Sequence, residues 1–500
     1  MNHKILFCFF LLIIIMAVSC CGCVSENENI SENKNMSENE IENIGNIKDI
    51  EGLWLGSLEL SGGQELRILF NISSSPEGSI NATMDSLDQG TKGIPVEKVI
   101  YKDRNLSLEV TAIKGVFEGV LNENGTTLEG EWKQLGVVLP LVLSRVEASP
   151  EMRREQDPVK PYPYDEEEVV YENKDAGVSL AGTLTLPITE GPFPAVLLIS
   201  GSGQQNRDEE VYGHRPFLVL SDYLTRQGIA VLRVDDRGIG GSTGNFSAST
   251  TEDFVGDVLV GVEYLKGRED INPDLIGLIG HSEGALIAPL GAVQSPDVAF
   301  IVLMAGPGLT GDEIILSQSR LISEANGVPN ETISKNKVLL KSIFSVLKEE
   351  KNDTIATEKI HGLIVDTLGN LSEEETQNSS YTDAAIDAEA QAFVSPWMRY
   401  FLTYDPKPAL MKVKCPVLAI NGEKDLQVAP EENLHAIEEA LKAGGNKDYT
   451  VKELPGLNHL FQTAQTGSPT EYATIEETIS PTALKLIGDW TLEHTRGLRA

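Results

Sequence analysis

The stretch that decides the fold is Leu275 to Gln294, LIGLIGHSEGALIAPLGAVQ. A short apolar run ends at Gly280, the residues from Gly280 to Gly284 fit the pattern G-x-S-x-G, and an apolar segment of helical length follows. The order is therefore strand, sharp turn, helix, with Ser282 at the tip of the turn. Such a turn needs small residues on both sides, because its central backbone is strained and the helix must start at once, and Gly280 and Gly284 supply them. The geometry pushes the Ser282 hydroxyl into the open. It also leaves the backbone N–H of Glu283 at a helix N-terminus, unpaired within the helix and aimed where an oxyanion could form. The Glu283 carboxylate reads as an acidic group in a first helical turn, which the helix dipole favours.

Working outward, the apolar run Pro194 to Ser200 reads as a buried parallel strand that ends in Gly201-Ser202-Gly203-Gln204. The N–H of Ser202 or of Gly203 is a second candidate oxyanion donor. A phosphate-binding loop is the competing reading, but the spacing matches neither G-x-x-x-x-G-K-S/T nor G-x-G-x-x-G. A helix around Phe217 to Arg226 and a strand from Ile229 to Val234 lead into D-D-R-G-I-G-G-S, Asp235 to Ser242. Its charged residues read as holding a tight turn rather than as catalytic. The helix Thr251 to Lys266 then returns the chain to the elbow strand.

Beyond the elbow, Val298 to Met304 is another buried strand, and Asp312 to about Tyr404 changes to amphipathic helices with acidic outer faces. This insertion, 312–404, reads as a cap. Trp397 and Phe401 stand four apart and could share a helical face toward an acyl pocket; core packing accounts for the same spacing. The sheet resumes at Val417 to Ile420, placing Asp425 on the next loop, and a last strand, Tyr449 to Leu454, leads to His459. Both residues sit past the C-terminal ends of strands, where an open parallel sheet assembles its sites.

A hydroxyl is a poor nucleophile at neutral pH, so Ser282 needs a base, and an imidazole held by a carboxylate is suited to that work. Of the seven histidines, His459 alone follows both a late strand and an acid candidate. His361 and His435 fall in predicted helices, His494 in a tail, and His281 faces away from the elbow's tip. His214 is the rival, as a substrate contact.

Ser282, Asp425 and His459, with the motifs D-R-G-x-G-x-S, G-H-S-E-G, N-G-E-K-D and N-H, resemble the α/β-hydrolase superfamily from about Val169 to Leu492. The resemblance implies a hairpin leading the sheet, Val169 onward and Val178 to Pro187, and a Ser, acid, His triad in that chain order. The region before it, 51–146, carries short alternating strands broken by turn signals and reads as a small antiparallel barrel or sandwich. It resembles the β-rich domain that precedes the hydrolase in two-domain prokaryotic carboxylesterases, through DSLDQG at Asp85 to Gly90 and through WKQLG followed by LPL, Trp132 to Leu141. The hydrolase part is similar also to serine aminopeptidase-like relatives.

The Pro-rich, charged segment 147–168 reads as a linker to a hydrolase domain at 169–495. At the other end, Ile5 to Val18 is an apolar run too short to span a membrane and of the length of a signal peptide's hydrophobic region. It runs into Cys20, Cys21 and Cys23, and that end of 1–23 resembles the lipobox of prokaryotic lipoproteins, with Cys20 or Cys23 acylated. Residues 24–50 are Ser-, Glu- and Asn-rich and read as a disordered tether. The expected product is exported and either held on the outer face of the membrane through its N-terminus or secreted.

A net charge of −35 disfavours any nucleic-acid surface. No metal or cofactor motif is present, so none is expected. The reading that unites these residues is a serine carboxylesterase acting on short or medium acyl esters. Two alternatives stay open: a serine aminopeptidase or acyl-peptidase, with Glu373 to Glu375 or Glu283 holding an ammonium, and a catalytically silent envelope-binding module.

Overall fold

The computed structural model describes residues 47–59, 65–74, 80–89, 91–147, 154–369 and 383–496. The expected signal sequence, its cysteines, most of the tether and the acidic run Glu373 to Glu375 lie outside them. The chain divides into two compact units. The first holds residues up to Met152 together with Val211–Gly213 and Leu368–Ala392; the second holds the remainder.

In the first unit, alternating apolar residues give β1 (Gly52–Glu59), β2 (Glu65–Ser74), β3 (Ile80–Ser86), β4 (Thr91–Pro95), β5 (Lys98–Lys102), β6 (Asn105–Val110), β7 (Gly115–Leu121), β8 (Thr127–Gln134) and β9 (Val137–Val146). These described strands form one antiparallel sheet in the order β4-β3-β2-β1-β9-β8-β7-β6-β5, curled as a half-barrel so that its end strands β4 and β5 follow one another in the chain. The inward residues of each strand meet in one core, where Phe70 lies 6.2 Å from Phe117 and 6.3 Å from Trp132. Ile50 is fully buried and its carbonyl accepts a 2.7 Å bond from the Trp54 indole, so the last residue of the segment expected as tether packs with the folded unit.

The second unit is an α/β-hydrolase sheet with a helical cap. Its strands are β10 (Tyr164–Asn173), β11 (Val178–Pro187), β12 (Phe193–Ile199), β13 (Ala230–Val234), β14 (Ile271–His281), β15 (Phe300–Met304), β16 (Val417–Gly422) and β17 (Tyr449–Leu454), in the order β10-β11-β13-β12-β14-β15-β16-β17. The β10–β11 hairpin is antiparallel and pairs antiparallel with β13; from β13 onward every neighbour is parallel. Strands β12, β15 and β16 are buried at every residue, which is why they read as unbroken apolar runs rather than as alternation.

Helices cover both faces. On one lie α1 (Pro216–Thr225) and, at the chain's end, a helix over Pro481–Arg496, with Phe217, Leu220, Ile487 and Trp490 in the core. The other face is packed by α2 (Thr251–Lys266) and α3 (Gly284–Gln294) and by a later helix, Pro430–Ala443, through Val255, Ile287 and Ile437. Between β15 and β16 in the chain come α4 (Gly311–Ala325), α5 (Asn330–Glu349), α6 (Asp353–Gly369), α7 (Asp383–Phe393), which up to Ala392 is grouped with the first unit, α8 (Pro396–Thr403) and the short α9 (Lys407–Leu410). Arg399 ties α8 to its neighbours, donating to the carbonyls of Leu347 and Glu350 at 2.8 Å and pairing with Asp353. Before β16 stands Cys415, a free half-buried cysteine whose thiol burial pushes up to about 12.

Candidate active site

The elbow forms where β14 runs into α3. Ser282 takes φ +52°, a left-handed backbone that a serine adopts only under constraint, and its N–H bonds to the Met304 carbonyl at 2.8 Å. Both glycines are needed sterically: a Cβ on Gly280 would lie 2.1 Å from the Gly284 carbonyl oxygen, and one on Gly284 would lie 2.1 Å from that of Ile199. Ser282 stays half-exposed while its neighbours His281 and Glu283 are buried.

Asp425, on the loop after β16, is fully buried, and its Oδ1 accepts from the N–H groups of Gln427 and Val428 at 2.8 and 2.9 Å. Its Oδ2 lies 2.7 Å from His459 Nδ1. A carboxylate there requires the proton on Nδ1, which leaves Nε2 free to accept one. The turn bearing His459 is held by Asn458, whose Oδ1 accepts from the N–H groups of Leu460 and Gln462. Among the described residues Ser282 Oγ makes no hydrogen bond; such a contact commonly tightens only when substrate binds.

The glycine-rich loop after β12 comes against the elbow, since a Cβ on Gly201 would lie 3.2 Å from that of Ser282. The Gly201 N–H is occupied by Glu209 Oε1 at 2.7 Å. The N–H groups of Ser202, Gly203 and Glu283 make no hydrogen bond to another described residue, and Gly203 takes φ +97°. Among the described residues the N–H groups of Ser202 and Gly203 are thus both open, and both remain candidates for the second oxyanion donor.

Several side chains do other work than expected. Glu283 is not a solvated first-turn acid: it is 3% exposed, and its Oε1 accepts from Thr251 Oγ1 at 2.6 Å and from the Trp397 indole at 2.8 Å. Burial raises its carboxyl above the usual range, with those two bonds opposing. Trp397 thus reaches the elbow from α8, whereas Phe401 stacks behind it at 5.0 Å and is itself buried. The two do not line one open face together. His214 is fully buried between Thr478 Oγ1 at 3.0 Å and the Tyr472 carbonyl at 2.9 Å, too enclosed for a substrate contact. Burial holds it below the ordinary imidazole value, the Tyr472 carbonyl opposing. His494 belongs to the C-terminal helix rather than a tail, stacked on Trp490. In the D-D-R-G turn, Asp235 binds the Gly241 N–H and Arg207, Asp236 receives Ser200 Oγ and the Gln205 N–H, and Arg237 reaches out to Asp257 on α2.

Glu209 went unremarked in the sequence, although it falls in an acidic run, Asp208 to Glu210, just past the glycine loop. That run was its only signal.

Residues 176–454 match the family model described as X-Pro dipeptidyl-peptidase (S15 family). The chain belongs to that family. This S15 member is 25% identical over 304 residues to Esterase EstD of Thermotoga maritima, a match covering 60% of this chain and 63% of that one. It spans between 39% and 63% of the length of the relatives it matches. Among solved structures, Est1E of Butyrivibrio proteoclasticus with ferulic acid bound aligns with 65% of the S15 chain and 99% of its own, at 17% identity and TM-score 0.38. The α/β hydrolase GrgF of Penicillium sp. sh18 aligns with 66% and 99%, at 16% identity and TM-score 0.42.

Proposed function

We propose that the protein hydrolyses carboxylic esters with short or medium acyl groups through an acyl-enzyme on Ser282. The observation that carries this reading is the 2.7 Å bond between Asp425 and His459 Nδ1, which leaves Nε2 available as the base for the elbow serine. In the reaction, His459 takes the Ser282 proton as Oγ attacks the ester carbonyl, and the N–H groups of Glu283 and of Ser202 or Gly203 receive the developing oxyanion. His459 then protonates the departing alcohol, and water repeats the sequence to release the acid. We propose further that the chain is exported and tethered through its N-terminus, on the strength of the apolar run and cysteine cluster in 1–23.

The test is turnover of p-nitrophenyl esters and labelling by a fluorophosphonate. Ser282→Ala should lose both, the rate falling by at least about 10³-fold. Equal activity in the two proteins would remove the reading, and a wild-type chain that neither labels nor turns over would favour the silent, tethered module.

A second reading, cleavage next to a free amine, is favoured by the family's description and by the buried carboxylate of Glu283 beside the nucleophile. Weighing against it, Glu283 Oε1 already holds two donors. Aminoacyl and X-Pro anilides assayed beside esters decide: no cleavage of any anilide eliminates the peptidase.

A further inference from the structure

We propose that Glu209 and His281 form a buried positioning pair that ties the oxyanion loop to the backbone of the His459 turn and so holds the base in register with the elbow; this rests on the Ser282 reading above. Glu209 is 5% exposed and takes φ +52°, a backbone rarely adopted by a residue with a side chain and kept only where the surroundings impose it. Its Oε1 accepts from the Gly201 N–H at 2.7 Å and lies 2.9 Å from His281 Nδ1. The other ring nitrogen, Nε2, lies 3.0 Å from the His459 carbonyl oxygen. One continuous chain of hydrogen bonds thus joins the loop after β12, the elbow and the His459 turn.

The proton count follows from the partners. A carbonyl only accepts, so His281 Nε2 carries a hydrogen. The Nδ1 to Oε1 contact holds a second proton. Burial pushes His281 down, but the charge and hydrogen bond of Glu209 and the His459 carbonyl outweigh it, and the net direction is upward. The pair is then imidazolium and carboxylate, neutral as a whole, with the cation nearer to His459: the two rings are 4.8 Å apart. His281 thus meets His459 twice, at the ring and at the backbone carbonyl of His459, while Asp425 bonds to His459 Nδ1.

Glu209→Gln tests this, because the amide oxygen still accepts from Gly201 while the countercharge is gone. Expected are a kcat for p-nitrophenyl butyrate lowered about 10- to 100-fold and a KM within about twofold of wild type. A contact that only supports the fold would lower stability without separating kcat from KM. Wild-type kcat in a folded Glu209→Gln would overturn the pair. Should that variant fail to fold, ¹⁵N-histidine NMR of the wild-type protein decides: His281 should carry protons on both ring nitrogens at pH 7, and a singly protonated ring there would overturn the proposal. A wild-type protein with neither ester turnover nor fluorophosphonate labelling would end the esterase reading, while the NMR outcome would still judge the pair.

Discussion

Asp235 holds Arg207, just past the glycine-rich loop: Oδ1 accepts from the Arg207 N–H at 2.8 Å and Oδ2 from Arg207 Nη2 at 2.7 Å. Burial raises its carboxyl, but Arg207 and the N–H groups of Gly241 and Arg207 more than reverse this, leaving it below the usual range. A depressed carboxyl contributes stability above its unfolded value, about 3.9, that is lost as pH falls through the folded value. Asp235→Asn should cost about 3 kcal/mol at pH 7, at the low end for a broken buried pair because Arg207 keeps some contact with water. The difference should shrink as pH falls from neutral to below that unfolded value, as urea unfolding across the range would show. At this scale Ser282, Asp425 and His459 were legible because each sits at a fixed offset from a strand with an apolar signature. Glu209 was not, since its partner His281 is 72 positions away and only the folded sheet brings the two together.

The cap helix α8 presents two aromatics with different surroundings. Trp397 is half-buried and bonded to Glu283 beside the nucleophile; Phe401 is buried behind it. Trp397→Ala should therefore change the ratio of short-chain to long-chain ester turnover, by about 10-fold or more for each methylene newly accommodated. Phe401→Ala should instead cost about 3 to 5 kcal/mol of stability, read from the denaturant midpoint, with a near wild-type chain-length profile. Elements with local signals could be read to the residue. The helix Thr251 to Lys266 is bounded by a capping box between Thr250 and Asp253 and by Gly267 at its end. The β-rich region shows the opposite case. Its strands were visible, but its single sheet depends on β1 pairing with β9, Leu53 opposite Val146, a contact no local pattern encodes.

Over the whole molecule, a formal charge of −35 on 500 residues means that folding concentrates mutually repelling carboxylates. Added salt should screen them: between about 10 mM and about 0.5 M sodium chloride the melting temperature should rise by several degrees, measured by differential scanning fluorimetry. A fall would mean that attractive pairs such as Arg237 with Asp257 outweigh the repulsion. Cys415 brings a consequence of another kind. A thiol titrating near 12 presents almost no thiolate at neutral pH, and thiolate is the form that maleimides attack. With residues 1–23 omitted, Cys415 is the sole remaining cysteine, so the protein offers a nearly silent background for thiol labelling. A single cysteine placed at exposed Val365 on α6 would accept a fluorophore by itself, turning the cap into a reporter whose signal comes from one known position.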